Sequence, residues 1–330
     1  MELKSRLAFV TGGARGIGFA FARECAARGM HVVLTAYDAG KLEDAANLLR
    51  GAGAQVTSYP LDVTDIARYR AVATDVMDRF GAPYVLFNNA GVALHGSVSE
   101  GTPEDWQWHV NVNVLGVGYG LSLFTKAMIA SGQKGYIVNT ASITGLVSSA
   151  AGAGIYGTTK HAVVALSEAL MFDVRPHGMH VCVLCPGSVH TDIADSDRHT
   201  HEDAGKGLTP VSDAQRGATR MLVANGLSPD KLMAQVFAAM ESRRFYVVSH
   251  PEYRNLIASR HRQIENSVHG DAASDTFLVN ATEAALAAFP TLDQPNVPLA
   301  KPEAVAAEPK PAIDLGALRK RYAHERDKRV

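Results

Sequence analysis

Seven short apolar runs, each separated from the next by a stretch with helical spacing, constrain this chain more than any other feature. The runs are RLAFVT (6–11), HVVLTAY (31–37), QVTSYPLDV (55–63), PYVLFNNAG (83–91), GYIVNTAS (135–142), MHVCVLCPG (179–187) and RFYVVSH (244–250). Strands that are apolar almost throughout belong in a sheet buried on both faces. Helix candidates occupy 16–29, 39–51, 64–80, 103–130 and 155–175. Thr102-Pro103-Glu104-Asp105 and Ser228-Pro229-Asp230 read as helix starts: a hydroxyl cap, a proline at the first helical position and acids in the first turn. The order predicts an α/β fold, a doubly wound parallel sheet with helices on both faces and right-handed crossovers.

Composition narrows the function classes. Net charge is -1, with charges of both signs interspersed, which excludes the electrostatic footprint of a nucleic-acid or anionic-membrane binder. No apolar run approaches the roughly 18 residues that span a bilayer, so no membrane association is expected. The start, MELKSRLAFVTGG, lacks a signal-peptide apolar region, and a cytoplasmic location is the expectation. Three cysteines make a disulfide framework improbable. Cys182 and Cys185 form C-x-x-C inside a strand, where residues three apart point to opposite faces, and Cys25 reads as a small apolar helix residue. His190, His199 and His201 have no helical spacing, and no metal site is expected.

Residues 1–268 read as one domain, with a less regular flap at 190–227 that carries a helix. Residues 269–330 form a C-terminal extension. From about 285 it is rich in Pro and Ala, and should be extended or disordered. The final LGALRKRYAHERDKRV could be a short basic helix, either a solvated tail or an arm bridging subunits.

VTGGARGIG (10–18) follows the first strand directly and opens a helix. Gly12, Gly16 and Gly18, with Ile17 between the last two, would let the backbone turn tightly against a pyrophosphate at a helix N-terminus. An acid at the end of the second strand would bind adenosine ribose hydroxyls and repel a 2′-phosphate. Ala36 occupies that position, followed by Tyr37 and Asp38, while Arg15 in the glycine loop could meet a 2′-phosphate. NADP(H) is favoured on these residues, with NAD(H) the alternative.

The chemistry-bearing residues cluster at strand ends. YGTTK (156–160) sets Tyr156 and Lys160 one helical turn apart, side by side on one face. A nearby ammonium favours phenolate and would move the tyrosine pKa down. NNAG (88–91), IVNTASITG (137–145) and CPGSVHT (185–191) all close strands, where open α/β sheets bind ligands.

Together these motifs resemble the short-chain dehydrogenase/reductase family in its single-domain, Rossmann-type form, from about residue 4 to 265. The resemblance implies a catalytic set of Asn113, Ser142, Tyr156 and Lys160. Tyrosine exchanges a proton with the substrate oxygen, and serine hydrogen-bonds that oxygen. Lysine binds the nicotinamide ribose, and asparagine supports a water leading to solvent. Asn111 is a rival to Asn113, but only Asn113 is followed by VLG, and Thr140 and Ser148 fall outside the serine register. The resemblance further implies that Asp62 and Val63 border the adenine. Asn89, Ala90 and Gly91 would stabilise the central strands, and Pro186, Gly187, Val189 and Thr191 would hold the carboxamide. It implies a small-molecule secondary alcohol or ketone as substrate, and a homodimer or homotetramer. MIASGQKGYIVNTAS and RFYVVSHPEYRNLIASRHRQI are similar to a bacterial branch with an extended C-terminus. That branch includes NAD-using alcohol dehydrogenases that act at the benzylic carbon of lignin-derived aryl ethers. Reduction of an imine or of a carrier-bound 3-oxoacyl group, and a non-catalytic dinucleotide-binding scaffold, are the alternatives.

Overall fold

A computed structural model describes residues 1–93, 98–148, 153–191, 193, 208, 209 and 212–268. Two compact units emerge, whose described parts are residues 1–249 and 250–268. Most of the flap between 192 and 211, including His199 and His201, and the whole extension from 269 lie outside the described residues.

The first unit follows the expected order. The strands are β1 (Leu7–Val10), β2 (His31–Ala36), β3 (Val56–Pro60), β4 (Val85–Asn88), β5 (Tyr136–Thr140), β6 (His180–Cys185) and β7 (Tyr246–Val248). The helices are α1 (Gly16–Ala27), α2 (Ala39–Gly51), α3 (Ile66–Phe80), α4 (Pro103–Val110), α5 (Gly116–Ala130), α6 (Gly154–Val174), α7 (Asp213–Ala224) and α8 (Pro229–Glu241). The described part of the second unit is a 3-10 turn, Pro251–Tyr253, and helix α9 (Arg254–Glu265). Strands are shorter than the apolar runs suggested. Only Asn88 of NNAG lies in β4, and the other three residues follow it in the loop.

The sheet order is β3-β2-β1-β4-β5-β6-β7, parallel throughout. Every residue of β1, β4, β5 and β6 is buried, as a sheet covered on both faces demands. Phe9 meets Phe124 and Tyr69 at 4.5 and 6.2 Å between ring centres on one face, and Phe87 stacks on Phe21 at 3.8 Å on the other. Each such ring contributes about 1.5–3 kcal/mol by leaving water. Chain order reverses between β1 and β4, which opens a crevice at their carboxyl ends.

The stretch 103–130 departs from one uniform α-helix. A π-helical turn, Asn111–Leu115, separates α4 from α5. The reading that no run is apolar enough to span a bilayer also needs correction: Pro103–Ala130 is long and apolar enough, with a mean hydropathy of 1.3 over its best window. Only 39% of that window is buried, with Val117, Phe124 and Met128 packing inward.

Candidate active site

The crevice at the strand reversal is built by close approach of backbone. A Cβ added to Gly12, where φ is +63°, would stand 2.8 Å from Ala90 Cα. One added to Gly18 would stand 2.3 Å from the Gly12 carbonyl oxygen, so only glycine allows this turn to fold onto α1. Thr11 Oγ1 accepts hydrogen bonds from the Asn89 and Ala90 amides at 2.9 and 3.1 Å. Asn89 Nδ2 donates to the Thr11 and Gly12 carbonyls, each at 3.3 Å. The loops after β1 and β4 are thereby stitched into one rim. Arg15 is the N-cap of α1, in extended backbone, and its side chain makes no capping bond. The helix N-terminus and the glycine cradle fit an anionic pyrophosphate. Ile17 packs against the apolar core beneath.

The adenosine end is more mixed. Ala36 is buried at the end of β2, and its carbonyl accepts from the Leu61 amide at 2.9 Å. Tyr37 is 39% exposed. Its phenol pKa is raised by burial and then by the charges of Asp62 and Asp38. Asp38 caps α2 by accepting from Lys41 N at 2.9 Å. Asp62 Oδ1 accepts from the amide and hydroxyl of Thr64, at 2.9 and 2.8 Å. Val63 packs on α5, where a Cβ on Gly116 would come within 2.7 Å of it.

Beside this rim the four proposed catalytic side chains converge. The π turn swings Asn113 fully inside. Its Nδ2 donates to the Val92 carbonyl and to Thr159 Oγ1, both at 3.0 Å, and its Oδ1 accepts from Val92 N at 2.9 Å. Asn111 faces outward and accepts from Gln107 Nε2 at the surface, which separates the two candidate asparagines. Ser142 caps the short 3-10 turn Ile143–Gly145 just beyond β5 and accepts from Thr144 N at 3.3 Å. Tyr156 hydrogen-bonds to Ser142. Lys160 Nζ donates to the Thr140 carbonyl at 2.9 Å and lies 5.6 Å from the Tyr156 ring centre. A Cβ on Gly91 would stand 3.2 Å from Asn113 Oδ1 and 3.4 Å from Lys160 Nζ, so this glycine sits between the two.

The protonation pattern corrects one expectation. Burial pushes the Tyr156 phenol up to about 12, with the Ser142 bond pulling the other way, and lowers Lys160 to about 8. Both groups resist charge because both are withdrawn from water. Cys182 and Cys185 are free and buried, their thiols pushed up to about 12 by burial. Cys185 lies behind the site, where Lys160 and the Ser142 amide act on it. Among the described residues no three His, Cys, Asp or Glu side chains could hold a metal ion.

The turn after β6 completes the rim. The Pro186 carbonyl accepts from Ile143 N at 2.8 Å, and Thr191 Oγ1 donates to the Val189 carbonyl at 3.3 Å. A Cβ on Gly16 would meet Thr191 Cγ2 at 3.1 Å, so this turn, with Gly187 in it, closes over the glycine loop. Thr159 was not among the expected site residues. It accepts from Asn113 and donates to the Tyr156 carbonyl at 2.8 Å, tying the asparagine to the tyrosine's helix.

The model of the family described as short chain dehydrogenase matches residues 6–202, more than half of the chain. The chain belongs to the short chain dehydrogenase family. The dehydrogenase is 31% identical to C alpha-dehydrogenase of Sphingobium sp. (strain NBRC 103272 / SYK-6), over 81% of this chain and 88% of that protein. A short chain dehydrogenase/reductase from Burkholderia phymatum, solved in complex with NAD, is 37% identical with a TM-score of 0.76, covering 83% of this chain and all of that one. A metagenomic short-chain oxidoreductase solved in complex with NADP is 34% identical with a TM-score of 0.54, covering 58% of this chain and 86% of that one. The dehydrogenase is an NAD(P)-dependent oxidoreductase of alcohols and ketones.

Proposed function

We propose that the dehydrogenase interconverts a secondary alcohol and a ketone bearing an aryl or otherwise hydrophobic group, with Tyr156 as the proton-exchanging residue. The convergence of Ser142, Tyr156 and Lys160 beside Gly91 carries this reading. The bound nicotinamide cofactor supplies or accepts the hydride. Gly12, Gly16, Ile17 and Gly18 would cradle its pyrophosphate, and Ala36, Tyr37, Asp62 and Val63 would border its adenosine. Asn89, Ala90, Gly91, Pro186, Gly187, Val189 and Thr191 would line its nicotinamide half, and Lys160 would reach the ribose. A phenol near 12 is protonated at neutral pH, which suits donation to a carbonyl oxygen held by Ser142. Below about pH 8 Lys160 carries charge, which favours the phenolate left behind. Asn113 positions the helix that bears both residues, through Thr159.

NADP(H) is favoured, because Ala36 offers no carboxylate and Arg15 stands at the N-cap of α1. NAD(H) is the second reading. Asp38 and Asp62 make the surroundings of Tyr37 anionic, and the solved relative from Burkholderia phymatum, covering 83% of the chain, carries NAD. The hydrophobic substrate class rests on the likeness to C alpha-dehydrogenase and on Met221 and Leu222 of α7, which are 70% and 62% exposed.

We also propose that residues 1–268 act as one catalytic domain in a cytoplasmic homodimer or homotetramer paired through α5 and α6. Leu115 is 38% exposed and a side chain at Gly118 would meet open space, as a helix-pairing face requires. A monomer by light scattering at micromolar concentration would refute the pairing. Oxidation of NADPH and NADH should be measured with acetophenone and 2-phenoxyacetophenone, beside a cyclic imine and a 3-oxoacyl thioester. Turnover of the imine or thioester alone would replace the ketone reading.

A further inference from the structure

The acid of the α4 capping box has partners that a cap does not need. Asp105 N donates to Thr102 Oγ1 at 3.1 Å, and Thr102 N donates to Asp105 Oδ2 at 2.9 Å, which completes the box. The same carboxylate also receives Thr209 N on Oδ1 at 3.0 Å and Thr209 Oγ1 on Oδ2 at 2.5 Å, from 104 residues away. Asp105 is 3% exposed. Burial pushes its pKa up, but the hydrogen bonds from Thr209 and Thr102 outweigh this and hold it below the usual carboxylate value. Capping alone asks for none of that burial: the other capping box, Ser212 with Gln215, sits exposed at the start of α7.

Thr209 lies three residues before Ser212, the N-cap of α7, and so ties the chain just ahead of that helix. The exit is fixed as well. Leu227 N donates to the Ser188 carbonyl at 2.8 Å, and His190 N donates to the Leu227 carbonyl at 3.0 Å. A Cβ on Gly226 would stand 2.7 Å from the Ser188 carbonyl, so the two chains run in backbone contact. Between these ties α7 buries none of its residues. Arg216, Thr219 and Val223 are half-buried along one face and the rest of α7 is exposed, so apolar packing contributes little to its placement.

We propose that Asp105 is a positioning residue for the alcohol or ketone substrate. Its bonds to Thr209 hold the entry of α7 against α4, opposite the tie at Ser188 and Leu227, and so set substrate affinity without contact with the substrate. This rests on the reading of 190–227 as the substrate-binding segment. Asp105→Asn keeps an acceptor for Thr102 N but cannot accept twice from Thr209, and Thr209→Val removes the hydroxyl bond alone.

The expected result is a KM for 2-phenoxyacetophenone raised about 5- to 20-fold in Asp105→Asn and less in Thr209→Val, on the scale of one or two hydrogen bonds. kcat should stay within twofold and the NAD(P)H dissociation constant should not move. The double variant should be no worse than Asp105→Asn, because both remove one coupled contact. Amide hydrogen exchange gives a readout apart from turnover: residues 213–224 should exchange faster in Asp105→Asn while α8 is unchanged. Strictly additive KM effects, a loss confined to kcat, or unaltered exchange in α7 would each overturn the clamp. If the wild type reduces no ketone, the proposed substrate class fails, while the exchange measurement still decides whether Asp105 holds α7.

Discussion

The cofactor half and the catalytic half of this crevice are assembled from different materials. Around β1 and α1, position is set by main chain against main chain: Gly18 on the Gly12 carbonyl, and Gly12 on Ala90. Around β4, β5 and α6, position is set by buried polar side chains that hydrogen-bond one another and nearby backbone. Asn113 bonds Val92 and Thr159, Asn88 donates to Asn139 at 2.9 Å, Asn139 donates to Ser167 at 3.0 Å, and Lys160 bonds Thr140. The first kind of site is spoiled by adding an atom, and the second by removing one. A backbone cradle can be held at no electrostatic cost. The catalytic half must keep ionisable groups out of water, and stability there is traded for chemistry.

The sharpest test of the catalytic half is Tyr156→Phe, which removes one hydroxyl and little volume. Turnover should fall by about 10²–10⁴, the scale of a positioned acid–base group. Cofactor affinity, which rests on the glycine cradle and on Lys160, should hold within about twofold, because the variant leaves both in place. Fluorescence titration with NAD(P)H beside steady-state kinetics checks both, and wild-type rates would remove Tyr156 from the chemistry.

Arg15→Ala asks whether a side chain matters in the half built from backbone. If the guanidinium meets a 2′-phosphate, NADP binding weakens by about 1.5–3 kcal/mol, as for a charge-assisted hydrogen bond, and NAD binding barely changes. Ala36→Asp should shift preference toward NAD by adding a ribose acceptor that repels the phosphate. An equal loss with both cofactors in Arg15→Ala would favour the NAD reading, with Asp38 or amides near Tyr37 as ribose contacts.

Gly18→Ala overfills the backbone cradle. Its new methyl would press on the Gly12 carbonyl at 2.3 Å and on Asn89 Nδ2 at 2.6 Å. Main chain has no rotamer by which to escape, so a cost of about 1–3 kcal/mol in stability is expected. Thermal denaturation would register it, and an unchanged midpoint would mean that the two loops are less tightly joined than the geometry implies.

The same contrast explains what could be read from sequence. Glycine spacing is local, so the loop at 10–18 and its helix were legible, as were the seven strands of a parallel sheet and the Tyr156-Lys160 pair. Asn113 was found through the VLG that follows it, but its partner Thr159 lies 46 residues away and no local pattern announces it. The π turn that swings Asn113 inward has no sequence signature in NVNVL. Asp105 was legible as a first-turn acid, whereas its bonds to Thr209 depend on a chain that returns after two more strands. The tyrosine pKa was misjudged because spacing reports proximity to lysine and says nothing of burial.

The smallest effect expected is a gain. Lys160 is 3% exposed, and burial lowers its pKa from 10.5 to about 8, against the opposing pull of Cys185. Below pH 8 folded and unfolded chains both hold the proton, and the folded state carries the whole penalty of a buried cation, on the order of 3 kcal/mol. Between pH 8 and 10.5 the unfolded chain still binds the proton while the folded chain has released it, so stability rises with pH through that window. Above 10.5 both are neutral and the penalty is gone. Lys160→Met keeps the stem's bulk and removes the charge, but it leaves the Thr140 carbonyl without its donor, which returns about 1 kcal/mol. The net is a variant about 1–2 kcal/mol more stable than wild type at pH 7, with turnover and cofactor affinity both damaged. By pH 10 the advantage should vanish or reverse. Urea denaturation of both proteins at the two pH values decides it. A stability difference that does not change with pH would mean that Lys160 is better solvated than its burial suggests, and that the catalytic half gives up less stability than the comparison with the glycine cradle implies.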